Sequence, residues 1–322
     1  MVLALVIIVA LFFGLSRFIT DLMWYGQLGF QSVVWTQLGV KIGLWVAYAL
    51  LMALTGFIAA WLAIRARPDS ADGSTIRING DVVEVGKSAS SKTARRVAVV
   101  ISLIVGVIFG SQFNANWSEI LLMFNAQKFG TTDPQFGLDN GFYVFVLPGL
   151  KLVLAAVAML LGVGLIFSLV THVLMGGIRI TMPVNGRGLF SITKRARRQL
   201  GIWLILNMLA WSVRQVLGVF EQLTVQGSRI TGASYTAVHA NIPVTFIMAA
   251  LTAILGVVLG VWLMRSHALE GQASIGVRAS AALKAWRVPV IAIAATVVVG
   301  MVLTIACLLY TSPSPRDSTS SR

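Results

Sequence analysis

Three polar side chains in one long apolar segment could contact an anionic solute. Asn207, Trp211 and Arg214 are spaced i, i+4 and i+7, which places them on one face of an α-helix. An arginine inside such a segment costs about 2.5–3.5 kcal/mol on insertion scales, so it is expected to face other helices and not lipid. The strip predicts either a path for an anion or a set of interhelical hydrogen bonds, and we favour the hydrogen bonds.

A second group of candidates lies in an aromatic loop. The segment 133–148 combines turn formers with aromatic residues at spacings of two and three, and it contains Asp133, Asp139 and Tyr143. Aromatic side chains beside a membrane lie in its interface or pack beneath a larger domain. Interfacial packing is the favoured interpretation, and a surface beneath a larger domain is the alternative.

One histidine, His239, lies in another loop, the segment 232–243. It could bind a metal with carboxylates predicted on the same side of the membrane, which are Asp21, Glu119, Asp133, Asp139 and Glu221. None of these residues has the spacing of a ligand set, so a hydrogen-bonded surface histidine is favoured. No metal, cofactor or catalytic residue is predicted.

The sequence contains no common catalytic motif. A Walker loop, a dinucleotide-binding glycine motif, His-Glu-x-x-His and Gly-x-Ser-x-Gly are all absent. Every Asp and Glu falls in a loop or at its edge, whereas most proton or cation carriers place acids at mid-membrane. The sequence therefore declares no reaction and argues against proton-coupled transport.

The composition places these residues in a membrane protein. Of 322 residues, 57% are hydrophobic and 11% are charged, and the mean hydropathy is +0.86. Soluble domains carry about a quarter charged residues, so a soluble fold is excluded. The net charge of +14 would suit a nucleic-acid partner, but no basic stretch is interleaved with aromatic residues, so none is expected. A single cysteine, Cys307, excludes an internal disulfide.

Seven apolar stretches approach or reach the roughly 20 residues that cross a bilayer. They lie near 1–16, 38–64, 97–117, 150–175, 200–220, 243–264 and 288–306. Backbone amides in lipid must be satisfied internally, and no alternating barrel strands are present. The prediction is an all-α, polytopic membrane helix bundle of about seven transmembrane helices.

Basic residues predict the orientation of the bundle. The loops after the second, fourth and sixth spans, with their edges, hold 17 Lys and Arg, whereas the alternate loops hold only Arg17, Lys128 and Arg229. Basic loops remain in the cytoplasm, so the N-terminus is predicted to be cytoplasmic. Lys41 and Lys151 lie near outer span ends and are expected to extend to the interface. His172, near a cytoplasmic end, is expected to be solvated.

Two local patterns predict packing. Asn79-Gly80 lies between β-branched residues and predicts a hairpin that pairs Ile76 with Val83 and Thr75 with Glu84. An isolated hairpin is favoured over a docking edge for a cytosolic protein. Three glycine pairs are expected to allow close helix packing, namely Gly39 and Gly43, Gly106 and Gly110, and Gly256 and Gly260.

Several of these segments resemble the uncharacterised protein family UPF0182, large bacterial membrane proteins. The resemblance rests on 21–36, on 133–148, on His172 with 176–179, and on 235–240. In the last segment Ala237 stands where the family usually has Asp, which weakens a ligand role for that loop. The resemblance implies seven spans followed by a large extracytoplasmic C-terminal domain, and it carries no established activity.

The expected organisation is a membrane domain over 1–306 and a non-native tail over 307–322, whose composition departs sharply from what precedes it. The chain would then be a fragment without its C-terminal domain. The favoured function is an anchor that presents this domain at the cell envelope. The alternatives are a transporter or channel for an anionic solute, and a membrane-embedded enzyme with an outer-face site. Expected partners are the plasma-membrane bilayer, a second copy, or envelope proteins.

Overall fold

The computed structural model describes residues 2–66, 74–78, 81–85, 91–113, 116–180, 190–224, 232–235, 237–266 and 275–311. Eight α-helices are present in these ranges. They are α1 (Val2–Gln27), α2 (Gln31–Arg65), α3 (Ser91–Phe113), α4 (Trp117–Phe124), α5 (Leu147–Leu174), α6 (Lys194–Glu221), α7 (Ile242–Arg265) and α8 (Ile275–Thr311). Single π-helical turns, Phe142–Val146 and Ala237–Asn241, lead into α5 and α7.

Six helical segments in the described ranges are long and apolar enough to cross a bilayer. They are Gln31–Arg65, Lys92–Ser111, Phe142–Leu174, Lys194–Thr224, Ala237–Arg265 and Trp286–Leu303. They correspond to the second to seventh predicted spans, which confirms the helix-bundle prediction. The first predicted span, 1–16, lies in α1, and most of its side chains are outside the described residues.

Local sequence explains where several helices begin. Pro148 and Pro243 are the second residues of α5 and α7, directly after the π-helical turns, and neither can donate the backbone hydrogen bond that an uninterrupted α-helix would make there. Thr193 precedes α6, and its hydroxyl accepts a hydrogen bond from the N–H of Ala196 at 3.4 Å. Gly29, with φ of +77°, makes the turn between α1 and α2 in a conformation that favours glycine.

The helices pack in a series with α5 at its centre. α5 lies between α2 and α6, while α3 packs on α2, α7 packs on α6, and α8 packs on α7. Tyr48 and Met52 of α2 are buried against Ala156 and Val163 of α5, and the Tyr48 hydroxyl donates to the Ala156 carbonyl at 3.3 Å. Here the end of the bundle predicted to face outside is called the outer end, and the opposite end the inner end.

Two of the three predicted glycine pairs lie at helix contacts. A Cβ on Gly106 would lie 2.5 Å from the Ala49 carbonyl oxygen, and one on Gly110 would lie 2.9 Å from the Trp45 ring, so α3 approaches α2 closely. Gly256 and Gly260 likewise leave room for α6 side chains, Met208 and Ile205. Both observations confirm the predicted close packing.

The remaining pair, Gly39 and Gly43, does not support a contact. Within the described part of the chain, no heavy atom lies within 4 Å of a Cβ built on either glycine. The prediction of close packing at this pair is therefore wrong for these residues, because that face of α2 is open.

Two short hairpins complete the described structure. In the first, β1 (Ser74–Ile78) pairs antiparallel with β2 (Asp81–Val85), with Ile76 opposite Val83 and Thr75 opposite Glu84. This register is the predicted one, although the turn residues themselves lie outside the described ranges. The second hairpin, β3 (Ile178–Ile180) with β4 (Phe190–Ile192), joins α5 to α6 and was not predicted.

The predicted boundary at residue 306 does not coincide with a helix end. α8 continues through residue 307 to Thr311, and residues 312–322 lie outside the described ranges. The interpretation of 307–322 as a non-native tail stays a prediction.

Candidate outer-end site

A loop between α4 and the first π-helical turn, residues 125–141, is organised by two carboxylates. Asp133 accepts hydrogen bonds from the N–H groups of Gln135, Phe136 and Leu138, and from the Tyr143 hydroxyl at 2.7 Å. Partial burial raises the pKa of Asp133, but the Tyr143 and backbone hydrogen bonds lower it by more, so this pKa lies below its ordinary value.

Asp139 holds the other half of the loop. Its carboxylate accepts hydrogen bonds from the N–H groups of Phe129 at 3.0 Å, Gly130 at 2.9 Å and Gly141 at 2.7 Å. The hydrogen bonds from Phe129 and Gly141 are the main reason why the pKa of Asp139 is lowered. Lys128 adds a weaker electrostatic contribution in the same direction.

The loop rests on the outer end of α6. The Phe136 and Phe142 rings lie 4.9 and 5.8 Å from the ring of Phe220, which is next to the last residue of α6. Gly141 has no space for a side chain, because a Cβ there would overlap the Gln127 carbonyl. Of the sequence-predicted residues, Asp133 and Tyr143 therefore bond to each other, and Asp139 holds the same loop through backbone N–H groups.

A cavity of about 370 Å³ lies between α4, α5 and α6 at the outer end. One part of its lining is uncharged and consists of Pro148, Leu152, Ala155 and Gly218. The other part is charged and consists of Glu119, Lys151, Arg214 and Glu221. The Lys151 ammonium pairs with the Glu221 carboxylate at 2.5 Å. The expected extension of Lys151 toward the interface thus takes the form of an ion pair across the ends of α5 and α6.

The other two charges in the cavity have no comparable partner. Within the described ranges, neither Arg214 nor Glu119 makes a hydrogen bond or an ion pair through its side chain. The Arg214 guanidinium lies 5.7 Å from the centroid of the Trp211 ring, the one aromatic contact described for it. The cavity therefore presents an unpaired cation and an unpaired carboxylate beside an existing ion pair.

The three residues of the polar strip predicted on α6 lie in three different environments. Asn207 donates hydrogen bonds to the carbonyls of Leu161 in α5, at 3.0 Å, and Trp203 in its own helix, at 2.8 Å. Trp211 is 54% exposed, so its ring lies on the outside of the bundle, contrary to the expectation that it faces other helices. Arg214 lines the cavity and is exposed, so the expectation that it faces other helices is not met.

The contacts described for His239 are with Tyr235 of the same loop. Its Nδ1 lies 3.0 Å from the Tyr235 carbonyl oxygen, and its ring stacks on the Tyr235 ring at 4.0 Å. No group of three His, Cys, Asp or Glu side chains suited to a metal occurs in the part of the chain that the structure describes.

At the inner end, a buried histidine joins three helices. His172 of α5 is 0% exposed, and its Nε2 lies 3.0 Å from Oε1 of Gln199 in α6. The Gln199 amide donates to the Ala59 carbonyl of α2 at 2.9 Å, so its oxygen must accept from His172, which places the proton on Nε2. The expectation of a solvated His172 is wrong, because the second hairpin and α6 cover this end of α5.

Sequence reasoning thus missed the partners at both ends. The sequence predicts Glu119 and Glu221 only as outer-side carboxylates and Lys151 only as an interfacial lysine, and it does not indicate a role for Gln199. The available signal was position, since each lies within a few residues of a span end. No spacing rule connects them, because they come from different helices.

Comparisons with known proteins assign the chain to a family. The sequence matches the Uncharacterised protein family (UPF0182) over residues 1–311. The chain belongs to this family. UPF0182 proteins similar to it include one from Bifidobacterium longum, 92% identical over 305 residues, which cover 95% of this chain and 29% of that protein.

Two other relatives are less similar, one from the same genus and one from another. A UPF0182 protein of Bifidobacterium adolescentis is 73% identical over 95% of this chain and 28% of its own length. One from Kocuria rhizophila is 36% identical over 80% of this chain and 26% of its own length. This UPF0182 chain therefore spans less than a third of the curated relatives it matches. No solved structure matches it.

Proposed function

We propose that this chain is the membrane-embedded portion of a larger UPF0182 protein, and that it anchors and presents an extracytoplasmic domain at the cell envelope. The observation that carries the proposal is the loop 125–141, which Asp133 and Asp139 organise with hydrogen bonds and which packs on Phe220 at the outer end through Phe136. A domain outside the membrane needs such a fixed surface on which to rest.

The lengths of the relatives support this role. The Bifidobacterium longum protein is more than three times as long as the part that this chain matches, which leaves most of it for other domains. The proposal places the bundle in the plasma membrane as a multi-pass protein. Its partners would be the bilayer and either a second copy or other envelope proteins.

The hydrogen bonds of α6 favour an anchor over a path for a solute. Asn207 is bonded to α5, and the Ser212 hydroxyl donates to the Ala249 carbonyl of α7 at 2.7 Å. A polar path along α6 would need these groups free to contact the solute. Their engagement with neighbouring helices is what a static support requires.

The orientation can be tested with two matched cysteine variants. In a Cys307→Ser background, Lys92→Cys and Lys128→Cys each replace an exposed lysine, one at each end of the bundle. We expect a membrane-impermeant maleimide to label position 128, and not position 92, in intact cells. The reverse pattern would contradict the proposal.

The presented domain can be tested on the full-length Bifidobacterium longum protein. We expect protease added outside spheroplasts to release a folded soluble fragment and to leave the helix bundle in the membrane. Inverted vesicles serve as the control and should release no such fragment. Release from inverted vesicles alone would exclude an extracytoplasmic domain.

A further inference from the structure

The outer-end cavity is large enough for a small ligand and is lined by both charged and apolar groups. Its volume of about 370 Å³ falls within the roughly 300–1,000 Å³ typical of small-molecule sites. Leu152, Ala155 and Gly218 form apolar wall, and charged groups form the rest. A ligand for this cavity should therefore combine a polar, charged part with an apolar part.

The charges divide into one satisfied pair and two free groups. Lys151 and Glu221 neutralise each other, whereas Arg214 and Glu119 have no hydrogen bond or ion pair among the residues described. A guanidinium presents a fork of N–H donors that matches the oxygen atoms of a phosphate. A carboxylate is the complementary group for an amine. The cavity is thus suited to a ligand that carries both charges.

The depth of Arg214 places it near the lipid headgroups. It lies seven residues before Glu221, the last residue of α6, which corresponds to about 10 Å along the helix axis. The interfacial layer on each side of a bilayer is about 5–8 Å thick, and arginine side chains extend toward it. Because Arg214 lines the same cavity as Glu221, its guanidinium is within reach of this layer.

Trp211 indicates where the apolar part of the ligand would lie. Its ring is on the outside of α6, 54% exposed, about one turn deeper than Arg214 and 5.7 Å from the guanidinium. A lipid whose phosphate contacts Arg214 would extend its acyl chain along this ring.

We propose that the cavity binds a phosphate ester that also carries an amine, with the phosphate at Arg214 and the ammonium at Glu119. Two sources share this chemistry, namely phosphatidylethanolamine of the outer leaflet and soluble phosphoethanolamine. The depth of Arg214 and the exposed ring of Trp211 favour the lipid. This site does not depend on the anchoring role, so each can fail without the other.

Native mass spectrometry of the purified chain in a non-ionic detergent tests the assignment. Phosphatidylethanolamine and phosphatidylglycerol with the same acyl chains are offered at equal concentration. We expect the wild-type chain to retain the amine-bearing lipid about tenfold more, which corresponds to one charge-assisted hydrogen bond. This comparison needs no variant and so is independent of any folding defect.

Two variants assign the roles within the cavity. Arg214→Gln should reduce retention of both lipids about tenfold or more, whereas Glu119→Gln should abolish the preference and leave phosphatidylglycerol retention unchanged. Arg17→Gln, the same change on an exposed arginine of α1, serves as the matched control and should behave as wild type. Size-exclusion profiles confirm that each variant is folded.

Two results would overturn the lipid assignment. Equal retention of the two lipids by the wild-type chain, or unchanged retention by Arg214→Gln, would show that the cavity does not recognise this chemistry. Titration with soluble phosphoethanolamine separates the sources. If it binds with the same dependence on Arg214 while the lipid is not retained, the ligand is the soluble compound and the lipid assignment is wrong.

Discussion

At the inner end of the bundle His172 bonds to Gln199, which in turn bonds to α2, whereas at the outer end Arg214 and Glu119 line a cavity and make no described hydrogen bond or ion pair through their side chains. Both sets consist of polar side chains near the ends of apolar helices. The inner set is enclosed, so its hydrogen bonds stabilise helix packing. The outer set is accessible, so its charges remain available to a ligand.

The largest effect is expected from breaking the inner set. Gln199→Leu removes the bond to His172 and the bond to the Ala59 carbonyl, and it leaves a buried imidazole N–H unpaired. Interhelical bonds in membranes contribute about 0.6–2 kcal/mol each, so the free energy of unfolding should fall by about 1–4 kcal/mol. Unfolding in mixed micelles, followed by helical circular dichroism against denaturant, measures this loss.

A matched variant on the same helix sharpens this prediction. Gln215 makes a single described bond to another helix, from its side-chain amide to the Thr252 hydroxyl of α7 at 3.0 Å. Gln215→Leu should therefore destabilise the bundle by about half as much as Gln199→Leu. Equal losses from both variants would show that the inner set has no special role in holding the helices.

A smaller and local effect is expected at the outer loop when the pH is lowered. The hydrogen bonds to Asp133 and Asp139 hold the pKa of each carboxyl below its usual value of about 3.9. Their contribution to loop stability is therefore complete above the unfolded-state pKa, and it is lost as the pH falls through the folded-state pKa. Protection of the loop should be constant from about pH 7 to pH 5 and should decrease below about pH 4.

Hydrogen exchange of the Gln135 and Gly141 amides, corrected for the intrinsic pH dependence of exchange, measures this protection. In an Asp133→Asn, Asp139→Asn double variant these amides should be less protected, and their protection should not change with pH. A wild-type loop that keeps full protection at pH 2 would contradict the prediction.

The smallest effect on stability is expected from the outer cavity. Arg214 makes no described hydrogen bond or ion pair, so Arg214→Leu should change the free energy of unfolding by less than about 0.5 kcal/mol in detergent without phospholipid. The same denaturant titration applies. A loss as large as that of Gln199→Leu would make the outer charges structural and would remove the contrast between the two ends.

The sequence predicted single elements better than contacts between them. The register of the first hairpin follows from Asn79-Gly80 and the alternation around it, since both strands and their turn lie within twelve residues. His172 and Gln199, by contrast, are separated by 27 positions, and nothing near either residue in the sequence indicates that they meet. The position of His172 near the end of a span is compatible both with a solvated side chain and with a buried one.

The glycine pairs show the same limit. Gly39 with Gly43 and Gly106 with Gly110 have identical spacing, yet only the second pair lies against another helix. Spacing places two glycines on one helix face, but it does not determine which face of α2 its neighbours cover. That choice depends on how all the helices pack together.

The sequence alone predicted that these helices are long and apolar enough to cross a membrane, because apolar composition and span length are properties of each segment. It also placed Asn207, Trp211 and Arg214 on one helix face, because helical geometry is local. Only the tertiary structure decided that Asn207 bonds to α5, that Trp211 lies on the outside, and that Arg214 shares a cavity with Glu119. The physical reason is that burial and pairing depend on neighbouring helices, and those neighbours are distant in the chain.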